Sequence, residues 1–161
     1  MRRNSMFGVC GLAALGLLIV PNLASAQQKP ASELIAGNWT LTIADNVRPD
    51  GTNVPGFGPL PSGTATFGGD GHYSLQIAPS STNEKAEGYA PVRERGTYTL
   101  DESQKTLSLR VEEGSVPSWN GTVQTGKIKF LTNDDLGWNN SVPLTAASGF
   151  ASTELIWRRA R

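Results

Sequence analysis

The sequence predicts an all-β chain in which about eight antiparallel strands run up and down and close into a barrel. Three observations carry that prediction. Apolar and polar residues alternate in short runs, as in Trp39, Leu41 and Ile43 against Asn38, Thr40 and Thr42; a period of two means a strand with one face buried and one face wet. The runs are joined mostly by short polar or Gly-containing turns, which order the strands as sequential hairpins. Beyond the N-terminal segment, no stretch carries the period of a long helix. Closure removes unpaired edges and leaves room inside for one small ligand. A β-sandwich is the alternative, and the short sequential turns fit it less well.

The first residues are set aside from the fold. Met1-Arg2-Arg3 is a basic start, Val9 to Val20 is mostly apolar, and Ala24-Ser25-Ala26 fits the A-x-A cleavage pattern. These features predict a secretory signal peptide over residues 1–26 and a mature domain over 27–161. A periplasmic or secreted location follows. The apolar run is short and broken by Pro21, so no integral membrane segment is expected after cleavage. Arg2-Arg3 lacks the surroundings of a twin-arginine signal, and Cys10 sits too early, behind the non-small Val9, for a lipoprotein.

Removing Arg2 and Arg3 turns the formal balance of +0 into roughly −2. Apart from Arg158, Arg159 and Arg161 no basic cluster remains, which argues against nucleic acid as partner. The single cysteine leaves with the signal, so the mature chain has no disulfide, reactive thiol or cysteine-based metal site. At roughly 135 residues it is long enough for one hydrophobic core and too short for two.

The elements follow in order. Glu33-Leu34-Ile35-Ala36 predicts one helical turn before the first strand. Gly37 lets the backbone turn in, and Trp39 brings a large apolar plug to the strand's start. Asn46 to Ser62 is the longest stretch without periodicity; its four prolines and three glycines mark a lid or binding loop, with Phe57 in its middle requiring cover. Thr64 to Gly68 and His72 to Ala78 form a hairpin around Gly69-Asp70-Gly71, with Tyr73, Leu75 and Ile77 on one face. Pro79 to Pro91 is irregular, with a helical turn around Glu84 to Gly88. Arg93 to Leu100 and Thr106 to Glu112 form a second hairpin, burying Leu107, Leu109 and Val111. After a loop with Pro117, Trp119 and Gly121 come strands at Thr122 to Leu131, Gly137 to Val142 and Thr153 to Arg159.

These residues fall in the order seen in a known family. Gly37-Asn38-Trp39 with Leu41, Asp50-Gly51, Phe57-Gly58-Pro59, Gly63 and Asp70-Gly71-His72-Tyr73-Ser74 are followed by Gly96-Thr97-Tyr98-Thr99-Leu100-Asp101-Glu102. Val111-Glu112, Ser115, Pro117-Ser118-Trp119, Gly121-Thr122-Val123-Gln124 and Glu154-Leu155-Ile156-Trp157-Arg158-Arg159 complete the set. Over nearly the whole mature chain the sequence resembles the bacterial and fungal lipocalin-like domain family. The resemblance implies a small calycin-like β-barrel with an apolar ligand. Some relatives in secondary metabolism are thought to be isomerases or cyclases. In this barrel type the floor Trp, here Trp39, is crossed by a basic residue of the last strand, Arg158 or Arg159. Two positions depart from the pattern. A His common in the fifth strand is Leu109, and an Arg that follows the Gln of the sixth strand aligns with Gly126.

The side chains able to line a cavity are Phe57, Tyr73, Tyr98, Trp119 and Trp138, because Tyr and Trp combine apolar area with a polar tip; each also has a core-filling reading. Arg95 is the candidate for a ligand carboxylate. Arg110 reads as outward, and outward arginines would pair with Glu94 or Glu112. Gly37, Trp39 and Arg158 are assigned to structure. His72, the sole His, reads as an exposed residue flanking a turn; with no second ligand nearby, no metal site is expected. No cofactor and no catalytic residue is assigned. The sequons at Asn38, Asn120 and Asn139 read as chance matches. The expected function is binding of a small hydrophobic or amphipathic molecule in the barrel. The competing readings are an isomerase or cyclase using Tyr98 with Arg95 or Glu112 as acid and base, and a packed barrel that serves as an interaction module.

Overall fold

The computed structural model describes residues 29–79, 90–144 and 149–161. The proposed signal peptide, and the helical turn expected at Glu84 to Gly88, lie outside the described residues. A short helix α1 (Ala31–Ile35) leads into nine strands: β1 (Gly37–Val47), β2 (Asn53–Pro55), β3 (Ser62–Phe67), β4 (His72–Ala78), β5 (Val92–Asp101), β6 (Thr106–Gly114), β7 (Val123–Leu131), β8 (Asp135–Asn140) and β9 (Ser152–Arg159). A 3₁₀ turn covers Pro117–Trp119.

All pairings are antiparallel, and each of β3 to β9 is bonded to its neighbour in sequence. The sheet closes where β1 pairs with β9, from Trp39↔Arg159 to Val47↔Ser152. Strand β2 pairs only with β1, so eight strands form the wall. This is the up-and-down barrel that the alternation predicted. Strand β1 serves three neighbours because it bends at a bulge between Leu41 and Ile43. Its first half pairs with β3 and its far end with β2.

The expected loop at 46–62 is shorter than the sequence implied. Strand β1 continues through Val47, and Asn53–Pro55 returns beside it around a turn at Asp50-Gly51. Gly51 supplies the positive φ of 86° the turn needs, and the Asp50 carboxylate accepts the Thr52 N–H at 2.9 Å. Period-two reading misses so short a strand, because three residues hold barely one alternation.

The two ends of the barrel differ. At one end, Trp39 is buried and its Nε1 donates to the Ile35 carbonyl at 2.8 Å, so α1 lies across the opening. Arg159 stacks on the Trp39 ring at 4.2 Å and donates to the Ala36 carbonyl at 2.9 Å and to that of Asn133. The expected basic residue over Trp39 is therefore Arg159. Arg158 points out and pairs with Asp135 at 3.2 Å. Strand parity explains this, since Trp157 is buried and Arg159 shares its face. Gly37, at φ 134°, lies directly under the Arg159 guanidinium, where a side chain would collide with it.

Above this floor the interior is aromatic. The Trp138 and Trp157 rings stack at 5.6 Å and 9°; Phe67 meets Tyr98 edge-on at 5.1 Å and Trp138 at 6.2 Å. At the opposite end Phe57 and Leu144 are buried, one between β2 and β3 and the other between β8 and β9. Gly56 N–H donates to the Ala44 carbonyl at 2.9 Å, which ties the segment before Phe57 to β1. Among the described residues no helix is long and apolar enough to cross a membrane.

Candidate functional site

Side chains on the inner face alternate with outer ones along every strand, so the inner set can be read by parity. Most of that set is apolar. Among the described residues the exceptions, apart from Arg159 at the closed end, lie together near the mouth. Glu94 is the third residue of β5, Gln124 the second of β7, Asn140 the last of β8, Thr153 the second of β9 and Asn46 the next to last of β1. All five are buried. The register sets Asn46 opposite Thr153, and Thr153 opposite Asn140.

These groups form a connected chain. Asn140 Nδ2 donates to Gln124 Oε1 at 2.8 Å, and Gln124 Nε2 donates to Glu94 Oε2 at 3.2 Å. From the other side the Tyr73 hydroxyl donates to Glu94 Oε1 at 3.3 Å. Tyr73 starts near the floor end of β4, opposite Gly96, and its length brings the hydroxyl up to the carboxyl. Thr153 Oγ1 donates to Asn46 Oδ1 at 3.3 Å and accepts the Leu144 N–H at 3.0 Å, which ties Leu144 to β9.

Among the described residues Glu94 is the inward carboxyl of the barrel. Burial pushes it up to about 7, against a smaller downward pull from the Tyr73 and Gln124 hydrogen bonds. It is therefore close to half ionised at neutral pH. The Tyr73 hydroxyl is driven well above its ordinary value, first by burial and then by the negative charge of Glu94. A carboxyl poised near neutrality next to a hydroxyl can hold or move a proton and can bind a polar ligand group. Elsewhere in the core, Trp157 Nε1 is buried without an acceptor among the described residues.

The residues singled out from sequence divide between the two sides of the wall. Tyr73, Tyr98 and Trp138 face inward, and Phe57 is fully buried. Trp119, on its 3₁₀ turn, is half-buried and packs against the core. The Tyr98 hydroxyl is turned toward the closed end, where it donates to the Gly68 carbonyl at 2.8 Å. Arg95 is on the outer face and pairs with Glu113, its Nε at 3.1 Å. Glu112 is exposed. The acid–base set of Tyr98 with Arg95 or Glu112 is not assembled: the wall separates the charged groups from the tyrosine. Nor does Glu94 pair with an outer arginine, because it shares the face of Tyr98 and Leu100. His72 is exposed beside its turn. Among the described residues no three His, Cys, Asp or Glu side chains group so as to hold a metal.

Glu94, Asn140, Asn46 and Thr153 were missed as site residues, and Gln124 was noted only as part of a motif. The signal for Glu94 was present. The alternation that sends Arg95 and Thr97 outward sends Glu94 inward with Gly96. The two departures from the family pattern are also inward positions. Leu109 is buried opposite Tyr98 and Gln124. Gly126 lies under Trp138, whose Cδ1 would be 2.8 Å from an added Cβ. An Arg at 126 would need the space that Trp138 fills.

No family model matches the sequence, and no curated protein does. Solved structures do. A redesigned β-barrel is 13% identical with a TM-score of 0.45, covering 81% of this chain and 96% of that one. A lipocalin-like protein from Bacteroides uniformis is 17% identical with a TM-score of 0.44, covering 79% and 99%. A de novo designed fluorescence-activating β-barrel is 14% identical with a TM-score of 0.42, covering 81% and 97%. The topology described above is a closed barrel of eight sequential antiparallel strands, joined by β1 and β9 over a Trp and Arg floor.

Proposed function

We propose that the chain is an exported barrel that binds a small amphipathic molecule through its mouth. The observation that carries this reading is the chain Tyr73–Glu94–Gln124–Asn140, buried in the mouth half of the barrel. A barrel built only to be stable has no use for a buried carboxyl, because apolar packing at that position does as well or better. Polar groups gathered inside an apolar wall orient a ligand whose remainder lies against Leu75, Leu109 and the aromatic core. Phe57 and Leu144 are the groups such a ligand displaces on entry. The designed barrel among the similar structures is described as fluorescence-activating; this chain shares its architecture, and the ligand reading here rests on Glu94 and its partners.

A second reading has its own observation. Glu94, near 7 and 3.3 Å from the Tyr73 hydroxyl, meets the requirement for an acid–base pair in an isomerase or cyclase. Native mass spectrometry of protein purified from its own host tests the first reading. A reproducible small-molecule adduct is the expected result, and its chemistry would direct any search for turnover. A clean mass, unchanged after a panel of fatty acids, isoprenoids and aromatics, would refute binding and favour a packed barrel acting as an interaction module.

A further inference from the structure

The hydrogen bonds of the buried chain all run one way. Asn140 donates to Gln124, Gln124 donates to Glu94, and Tyr73 donates to Glu94 from the opposite side. Glu94 is where the chain ends, and it accepts at both oxygens. The order is chemically forced when Glu94 is ionised: a carboxylate accepts only, so the Gln124 amide must turn its N–H₂ to it and its carbonyl to Asn140. Contacts of 3.2 and 3.3 Å are long for a carboxylate acceptor, whose hydroxyl donors ordinarily come to about 2.5–2.7 Å. The carboxyl is thus held in place without being saturated, and lone pairs remain on both oxygens.

Among the described residues no cation answers it. The groups that face the carboxyl are Tyr73 from β4 and Gln124 from β7, with Leu75 opposite it in register. Glu112, exposed at the rim of β6, adds negative potential at Tyr73. Among the described residues, the one basic side chain at an inward position is Arg159, at the closed end and engaged with Trp39 and backbone carbonyls. Arg93 and Arg95 stand outside the wall. A buried carboxylate whose neighbours supply only neutral donors is complementary to a ligand that brings its own positive donor.

Resting on the binding reading above, we propose that the ligand is a small aryl-alkyl amine. Its ammonium group donates to Glu94, and its ring takes the place of the Phe57 side chain. Phe57 is fully buried, on the segment that follows β2 and is joined to β1 by the β2 pairing and the Gly56–Ala44 bond. Its ring sets the size of what can replace it without opening the wall. A carboxylate ligand is excluded at this position by charge. A neutral alcohol can hydrogen-bond there but leaves the ionised Glu94 uncompensated.

Calorimetric titration of the protein with 2-phenylethylamine, 2-phenylethanol and phenylacetate separates these cases by charge at constant size. At about pH 8.5 the amine should bind about tenfold or more tighter than the alcohol, and phenylacetate should bind weakest. Near pH 5.5, where Glu94 is protonated, the amine should lose most of that advantage. Glu94→Gln should erase the amine-over-alcohol preference while still binding the alcohol, which shows that the variant is folded. Phe57→Ala should tighten the amine and the alcohol together without changing their order. If the alcohol or the acid binds wild type as well as the amine does, the amine assignment fails and the binding reading stands. If none binds either wild type or Phe57→Ala, the amine assignment fails. Native mass spectrometry then decides whether an adduct of other chemistry preserves the binding reading.

Discussion

Glu94→Gln should stabilise the protein at high pH and leave it nearly unchanged at low pH. In the folded state the carboxyl titrates near 7 because burial disfavours its charge; its ordinary value is 4.5. Below about pH 4.5 it is protonated in both folded and unfolded chains and costs nothing. Between about 4.5 and 7 the unfolded chain ionises while the folded chain keeps its proton, so stability falls as pH rises. Above about pH 7 the loss is complete, at about 3 kcal/mol. That figure needs little discount for solvent, since Glu94 is only 4% exposed. Glutamine keeps the shape and can still accept from Tyr73 or Gln124, but it has no charge to desolvate. Urea unfolding followed by tryptophan fluorescence suits the measurement, because Trp39, Trp138 and Trp157 are all buried. The variant should match wild type within about 1 kcal/mol near pH 4.5 and exceed it by about 2–3 kcal/mol near pH 8.5. Other carboxyls titrate in both proteins and cancel in the difference. A difference that does not change with pH would refute the reasoning, because it would mean Glu94 is solvated in the folded state.

Two further perturbations test the rest of the barrel. Arg159→Ala removes the stack on Trp39 and the bonds to the carbonyls of Ala36 and Asn133, and should cost about 2–4 kcal/mol. Arg158→Ala removes only an exposed pair with Asp135 and should cost no more than about 0.5 kcal/mol; equal losses in urea unfolding would mean that the floor is wrongly assigned. Gly126→Ala puts a Cβ 2.8 Å from Trp138 Cδ1 and 2.9 Å from the Asn139 carbonyl oxygen. It should cost about 1–3 kcal/mol and alter the near-ultraviolet circular dichroism of the Trp138–Trp157 stack; an unchanged spectrum and stability would show slack in the core.

The barrel was legible because period-two alternation survives in single strands. Tyr73, Leu75 and Ile77, and then Leu107, Leu109 and Val111, all face inward as the pattern required. What was not legible depends on closure. Asn140 meets Gln124, and Gln124 meets Glu94 across 30 residues of sequence; neither contact follows from local periodicity. Parity alone would have put Glu94 inside, but chemical expectation pulled the other way, since a carboxylate between Arg93 and Arg95 reads as part of an exposed charged run. The same habit left open which arginine covers Trp39, although the burial of Trp157 fixes it as Arg159.

The contrast between the two ends separates architecture from function. At the closed end the hydrogen-bonded polar groups work for the fold. Arg159 answers Trp39 and the carbonyls at the end of α1, Trp39 Nε1 answers Ile35, and Tyr98 ties its hydroxyl to the Gly68 turn. Such bonds satisfy backbone groups that would otherwise be orphaned, and they need no ligand to explain them. Near the mouth the inner polar groups satisfy chiefly one another, and the chain they form converges on a carboxyl that burial makes costly. Leu75 stands beside that carboxyl in register and Leu109 beside Gln124. Apolar packing was thus available at the adjacent inward positions. A position that lowers stability as pH rises toward and past neutrality, amid neighbours that show how it could be filled without that cost, is best explained by a ligand that supplies the missing charge.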